Sequence, residues 1–125
     1  MHADRLLSDP VWETIKVYLA QWKSKTVSDE MRTWLEANME VTPFDGGVFI
    51  AKGNEFDLFV VPERRGRWRI RSTIKNYLDQ LGGRYSKIVA QIDERNAPSL
   101  RLARHFGFQE VSRKDGVIRL EKNYG

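Results

Sequence analysis

Hydrophobic residues keep a helical period up to residue 39 and then fall into short strand-like runs with further helices between them, and this switch limits the fold more than any other feature. Val11, Ile15, Tyr18, Leu19 and Trp22 lie 4, 7, 8 and 11 positions along from the first of them, one apolar stripe of an α-helix. That helix is expected to begin near Asp9, with Pro10 at its first position, where a missing N–H costs nothing. The polar stretch "KSKTVSDE" leads to a second helix around Asp29 to Asn38, capped by Ser28 or Thr26 and burying Met31, Trp34 and Leu35. Beyond it, "GGVFIA" and "EFDLFVV" are short runs rich in Val, Ile and Phe, joined by the hairpin turn "KGNE". In the second run Phe56, Leu58 and Val60 alternate with Glu55, Asp57 and Phe59, which predicts one buried face and one partly polar face.

A third helical stripe follows, through Ile70, Ile74, Tyr77, Leu78 and Leu81, and Gly82-Gly83 is expected to end it. "KIVAQI" has the composition of a buried strand. Asn96 then caps a short helix from Pro98 to Phe106, and Gly107 terminates it. "FQEVSR", the turn "KDG" and "VIRLEK" form a closing hairpin. Helix, helix, strand, strand, helix, strand, helix, strand, strand is the order of an α/β domain of α+β type. Its mixed sheet is largely antiparallel with one parallel crossover. At 125 residues the expectation is a single domain over 1–125. Residues 1–39 make its helical part, 40–81 its hairpin, basic loop and helix, and 84–125 its strand, helix and final hairpin.

Composition narrows the chemistry. Without cysteine there is neither a disulfide nor a thiolate metal site, and the two histidines, His2 and His105, are far apart in sequence. No metal site is therefore expected. No apolar run has the length of a membrane span and no signal peptide is evident, so the expectation is a soluble, intracellular protein. The net charge of +4 favours an anionic ligand or a polyanionic partner, the alternative being an ordinary basic surface.

That charge is concentrated. Arg64, Arg65, Arg67, Arg69 and Arg71 fall within eight positions that contain no acid, between a strand and a helix. They are the candidate anion-binding residues, because a basic loop at a helix N-terminus suits phosphate. Such a loop could also hold nucleic acid, with Trp68 stacking on bases, or be only a solvated, salt-bridged helix start.

From Glu55 to Leu120 the order and local sequences resemble the GNAT superfamily of acetyl-CoA-dependent N-acetyltransferases. "DLFVVPERRGR" is similar to that family's fourth strand and pyrophosphate loop. "NAPSLRLARHFGF" is similar to its late helix, which starts at an asparagine and ends in a Gly-Phe pair before a hairpin. The two N-terminal helices match by order only, and "ADRLL" is all that could supply the family's first strand. The resemblance implies an acyl-CoA N-acyltransferase fold whose fourth strand pairs with the pantetheine arm. It also implies CoA contacts by Val60, Val61, Arg65, Gly66, Arg67 and Asn96, and a base supplied by Asp57 or Glu55.

The family's loop reads Gln or Arg, two residues, Gly, one residue, Gly or Ala. Counted from Arg65, its small positions fall on Trp68 and Ile70, where bulk obstructs close approach of backbone to a pyrophosphate. The proton-donating tyrosine of the late helix falls on Ala103. These departures resemble the small acetyltransferase-like proteins encoded among tailed-phage head and internal virion genes. The expectation drawn from them is a non-catalytic virion or assembly component that binds other protein subunits and takes no cofactor. It would reside in the host cytoplasm and the virion. The alternative is an active N-acetyltransferase using acetyl-CoA, with Asp57 or Glu55 as base and water or Tyr77 in place of the missing acid.

Overall fold

The computed structural model describes residues 6–23, 26–65 and 68–125, with the backbone alone for Trp68 and Arg69. In chain order they form α1 (Asp9–Trp22), α2 (Asp29–Asn38), β1 (Glu40–Phe44), β2 (Gly47–Lys52) and β3 (Glu55–Val60). A 3-10 turn (Pro62–Arg64) follows, then α3 (Trp68–Tyr85), β4 (Lys87–Asp93), α4 (Ala97–His105), β5 (Gln109–Lys114) and β6 (Val117–Asn123). The sheet is mixed and six-stranded, in the order β1-β2-β3-β4-β6-β5. Two compact units share β3, one comprising residues 1–52 and 58–70, the other 53–57 and 71–125.

In the first unit, Ser8 caps α1, its Oγ accepting from the Val11 N–H at 3.4 Å, and Pro10 lies in the first turn. Val11 and Ile15 are buried with Leu7, Val48, Ile50, Phe59 and Val61, while Tyr18 and Leu19 pack at the margin of that cluster. Trp12, outside the expected stripe, is also buried, and its indole N–H donates to Asp29 Oδ1 at 3.0 Å. α2 departs from expectation in the opposite direction. Met31 and Leu35 face the core, but Trp34 is 52% exposed and Arg32 is buried in its place. The reason lies in Leu7, whose main chain α2 grips: Glu36 Oε2 accepts from its N–H at 3.1 Å, and the Arg32 guanidinium donates to its carbonyl.

β1 is a strand that the sequence pattern did not announce. It pairs antiparallel with β2, from Glu40 opposite Ala51 to Phe44 opposite Gly47. Pro43 disguises it, yet at a sheet edge a proline sacrifices no ladder bond. The Asp45-Gly46 turn joins the two strands, with Gly46 at φ +91°. In β3 the one buried residue is Phe59, on the face expected to be partly polar. Its ring meets Tyr18 edge-on at 5.2 Å, while Phe56, Leu58 and Val60 are half-buried. "ADRLL" supplies no strand among the described residues, since Leu6 and Leu7 form a bend and the rest lies outside them.

In the second unit, the start of β3 runs parallel to β4 with Glu55 opposite Val89, and β6 and β5 continue antiparallel. The parallel connection is α3, which buries Ile74, Tyr77, Leu78 and Leu81 as its stripe predicts. Phe56 stacks obliquely on Tyr77 and on Phe108, each at 6.0 Å. The outer strand β5 is exposed along its length and carries a register shift between Glu110 and Ser112, which with its charges blunts the edge against further pairing.

Gly82-Gly83 does not end α3. The helix continues to Tyr85, and the left-handed residue beyond it is Ser86, at φ +63°. Gly82 serves packing instead, since a Cβ there would overlap the Tyr124 ring, whereas a Cβ at Gly83 would meet nothing. Gly82→Ala is therefore expected to destabilise by about 1–2 kcal/mol through overpacking. Gly83→Ala should stabilise by roughly 0.5–1 kcal/mol through helix propensity. Paired thermal melts check the opposite signs. If both substitutions stabilise, Tyr124 does not hold its place over α3.

Candidate functional site

The turn after β3 is built within the first unit. Pro62 fixes the backbone that opens the 3-10 turn, and the Arg64 N–H donates to the Val61 carbonyl at 2.9 Å. The Val61 N–H itself donates to the Gly46 carbonyl at 2.9 Å. Arg64 lies back over the β1–β2 turn, where a Cβ on Gly46 would overlap its Cγ, and its guanidinium pairs with Asp45 at 2.8 Å. This pair is solvent-exposed, so it orients the side chain more than it stabilises the fold. Arg65 turns the other way, its Nε donating to the Val60 carbonyl at 2.9 Å.

The Val60 carbonyl is thereby occupied by the Arg65 side chain. Just before β3, in the second unit, the Asn54 carbonyl accepts from the Val89 N–H of β4 at 2.9 Å. Gly66 and Arg67, expected to contact CoA, lie outside the described residues, as do the side chains of Trp68 and Arg69. The obstruction expected at Trp68 therefore lies outside them too. Ile70, at the second nominally small position, is half-buried.

The remaining candidates belong to the second unit. Arg71 is exposed near the start of α3. Glu55 and Asp57, two apart on β3, share a face and are both exposed. Glu55 Oε1 accepts from Gln91 Nε2 on β4 at 2.9 Å. Gln91 does not stand out from the sequence, although a lone amide inside "KIVAQI" is a signal available there. In the row opposite Val89, Glu121 of β6 is held below the usual carboxylate range, first by its hydrogen bond from Arg119 and then by Lys87. Asn96 is buried as the cap of α4, its Oδ1 accepting from the Ser99 N–H at 3.4 Å. Ala103 is half-buried on that helix and offers no proton. Glu55 and Asp57 thus lie together, as do Val60, Val61, Arg64 and Arg65, each set within its own unit.

Among the described residues no group of three or more His, Asp or Glu side chains could hold a metal ion. No helix among them is long and apolar enough to cross a membrane.

No protein-family model matches the sequence, and no curated protein matches it. Solved structures do match the fold. A ribosomal-protein-alanine N-acetyltransferase from Brucella melitensis superposes with a TM-score of 0.73 at 20% identity, over 98% of each chain. The candidate acetyltransferase yncA from Salmonella typhimurium, solved with its cofactor acetyl-CoA, gives 0.68 at 19% identity over 100% of this chain and 92% of that one. The dodecameric spermidine N-acetyltransferase from Vibrio cholerae gives 0.54 at 22% identity, over 62% and 57%. At these identities the likeness establishes a fold. The mixed α+β architecture is that of GNAT acetyltransferases.

Proposed function

We propose that this chain is a non-catalytic protein on the acetyltransferase fold, a structural or assembly component of the kind carried among tailed-phage virion proteins. One observation carries the reading: the main-chain groups where β3 gives way to the basic loop are already engaged. Arg65 holds the Val60 carbonyl and Gly46 holds the Val61 N–H. A pantetheine arm pairing along this strand would have to displace the guanidinium, and the loop beyond has no pair of small residues to receive a pyrophosphate. The residues present do not fit acetyl-CoA seated in the family's manner. Ala103, in place of a proton donor, supports the same reading, as does the resemblance to phage proteins with these departures.

The decisive experiment is calorimetry of the full chain with acetyl-CoA. The expected result is no measurable heat of binding. Micromolar binding would overturn the proposal. A second reading, an active N-acetyltransferase with an unknown amine substrate, would then stand in its place. It is favoured by one arrangement, the exposed Glu55 and Asp57 side by side on β3, with Glu55 bonded to Gln91.

A further inference from the structure

The longest stretch of the described second unit without an acid runs from Arg95 to Gln109 and contains α4. Leu100 turns inward, Leu102 and Ala103 are half-buried, and Arg101, Arg104 and His105 are exposed. Arg101 and Arg104 are three residues apart, so both guanidinium groups emerge on one side of the helix, and His105 follows Arg101 by one turn. Neither arginine forms an ion pair within 4.0 Å among those described. The nearby acid is Glu110, held below the ordinary carboxylate range mainly by its hydrogen bond from Arg113, with Arg104 a lesser contributor. Its carboxylate is taken by Arg113 at 2.9 Å, which leaves the Arg104 donors for an outside ligand.

We infer that the α4 face bearing Arg101, Arg104 and His105 binds the phosphodiester backbone of duplex DNA. Planar guanidinium forks suit phosphate oxygens, and a rigid helix holds two of them in fixed register. The competing polyanions fit less well. An anionic membrane calls for an apolar side on the same helix, and the leucines here turn away from solvent. A single strand calls for exposed aromatic platforms, and the one aromatic ring beside this face, Phe106, is half-buried edge-on to His105 at 5.1 Å. An acidic protein surface calls for a buried anchor residue at its centre, which this face does not present.

Nothing in this assignment depends on acetyl-CoA being excluded. It is tested by fluorescence anisotropy with a labelled DNA duplex of arbitrary sequence, titrated between about 50 and 200 mM salt. The full chain is expected to bind, with log affinity falling linearly against log salt. Arg101→Ala together with Arg104→Ala should flatten that slope by about 0.9 for each arginine removed. Both substitutions sit on an exposed helix face, where alanine favours the helix, so the variant folds. Lys23→Ala with Lys52→Ala, an equal loss of charge at exposed sites elsewhere, should leave the slope unchanged. Absence of binding at the lower salt would overturn the assignment. So would an unchanged slope in the double arginine variant, which would shift binding to the loop arginines. Tighter binding to an RNA duplex, to anionic vesicles or to polyglutamate would overturn it as well.

Discussion

Trp12→Ala is expected to cost about 3–5 kcal/mol of unfolding free energy, a larger loss than truncation of the buried Arg32 should bring. The indole is 2% exposed and stands among the largest fully buried side chains of the chain. Removing it leaves a void next to Leu7, Val11 and Ile15 in a small core that has few ways to collapse. For a chain of this length such a loss lowers the melting temperature by roughly 10–20 °C. Trp12→Phe separates two contributions. It keeps most of the ring volume and forfeits the N–H bond to Asp29, so it should cost about 1–2 kcal/mol. Circular dichroism melts of the three proteins check the order. If Trp12→Ala stays within about 1 kcal/mol of the parent, α1 does not bury that side of itself.

Periodicity made most of the architecture legible because it reports where side chains must go. The α1 and α3 stripes, Asn96 as a helix cap and Gly107 at φ +92° were local signals, and local physics enforces each of them. The failures were tertiary. Pro43 reads as a break unless its strand is known to be at an edge. Gly82 reads as a helix stop unless Tyr124 is known to cover it. Trp34 and Arg32 exchanged their expected places because hydropathy assigns burial by residue type, whereas the Leu7 carbonyl needed a long donor. The candidate site divided the same way. Its positive charge and missing small residues were readable directly, as was Ala103. That Arg65 folds back on the Val60 carbonyl, that Arg64 lies over Gly46 and that Gln91 meets Glu55 depend on which chain segments become neighbours. Motif spacing carries no record of such contacts.

The buried guanidinium supplies the second large effect. Arg32→Ala is expected to cost about 2–4 kcal/mol, since it leaves the carbonyl of a fully buried residue without its donor and empties the space of a long side chain. The ion pair of Arg32 with Asp9, at 2.9 Å, is not the source of that loss. Asp9 is 87% exposed at its side chain, so water competes for it, and Asp9→Asn should cost no more than about 0.5 kcal/mol. Arg32→Lys should fall between the two, because an ammonium can reach one acceptor but cannot bridge the Leu7 carbonyl and Asp9 with a planar fork. Urea denaturation of the three variants checks the ranking, with midpoints shifting at constant slope if only stability changes. Equal losses for Arg32→Ala and Asp9→Asn would mean that charge pairing, and not the grip on Leu7, fastens the start of the chain to α2. A neutral Arg32→Ala would remove α2 from that role altogether. The expected ranking instead makes α2 a clamp on main chain: Glu36 and Arg32 read the N–H and the carbonyl of residue 7, while Asp29 holds the indole of Trp12 one turn into α1.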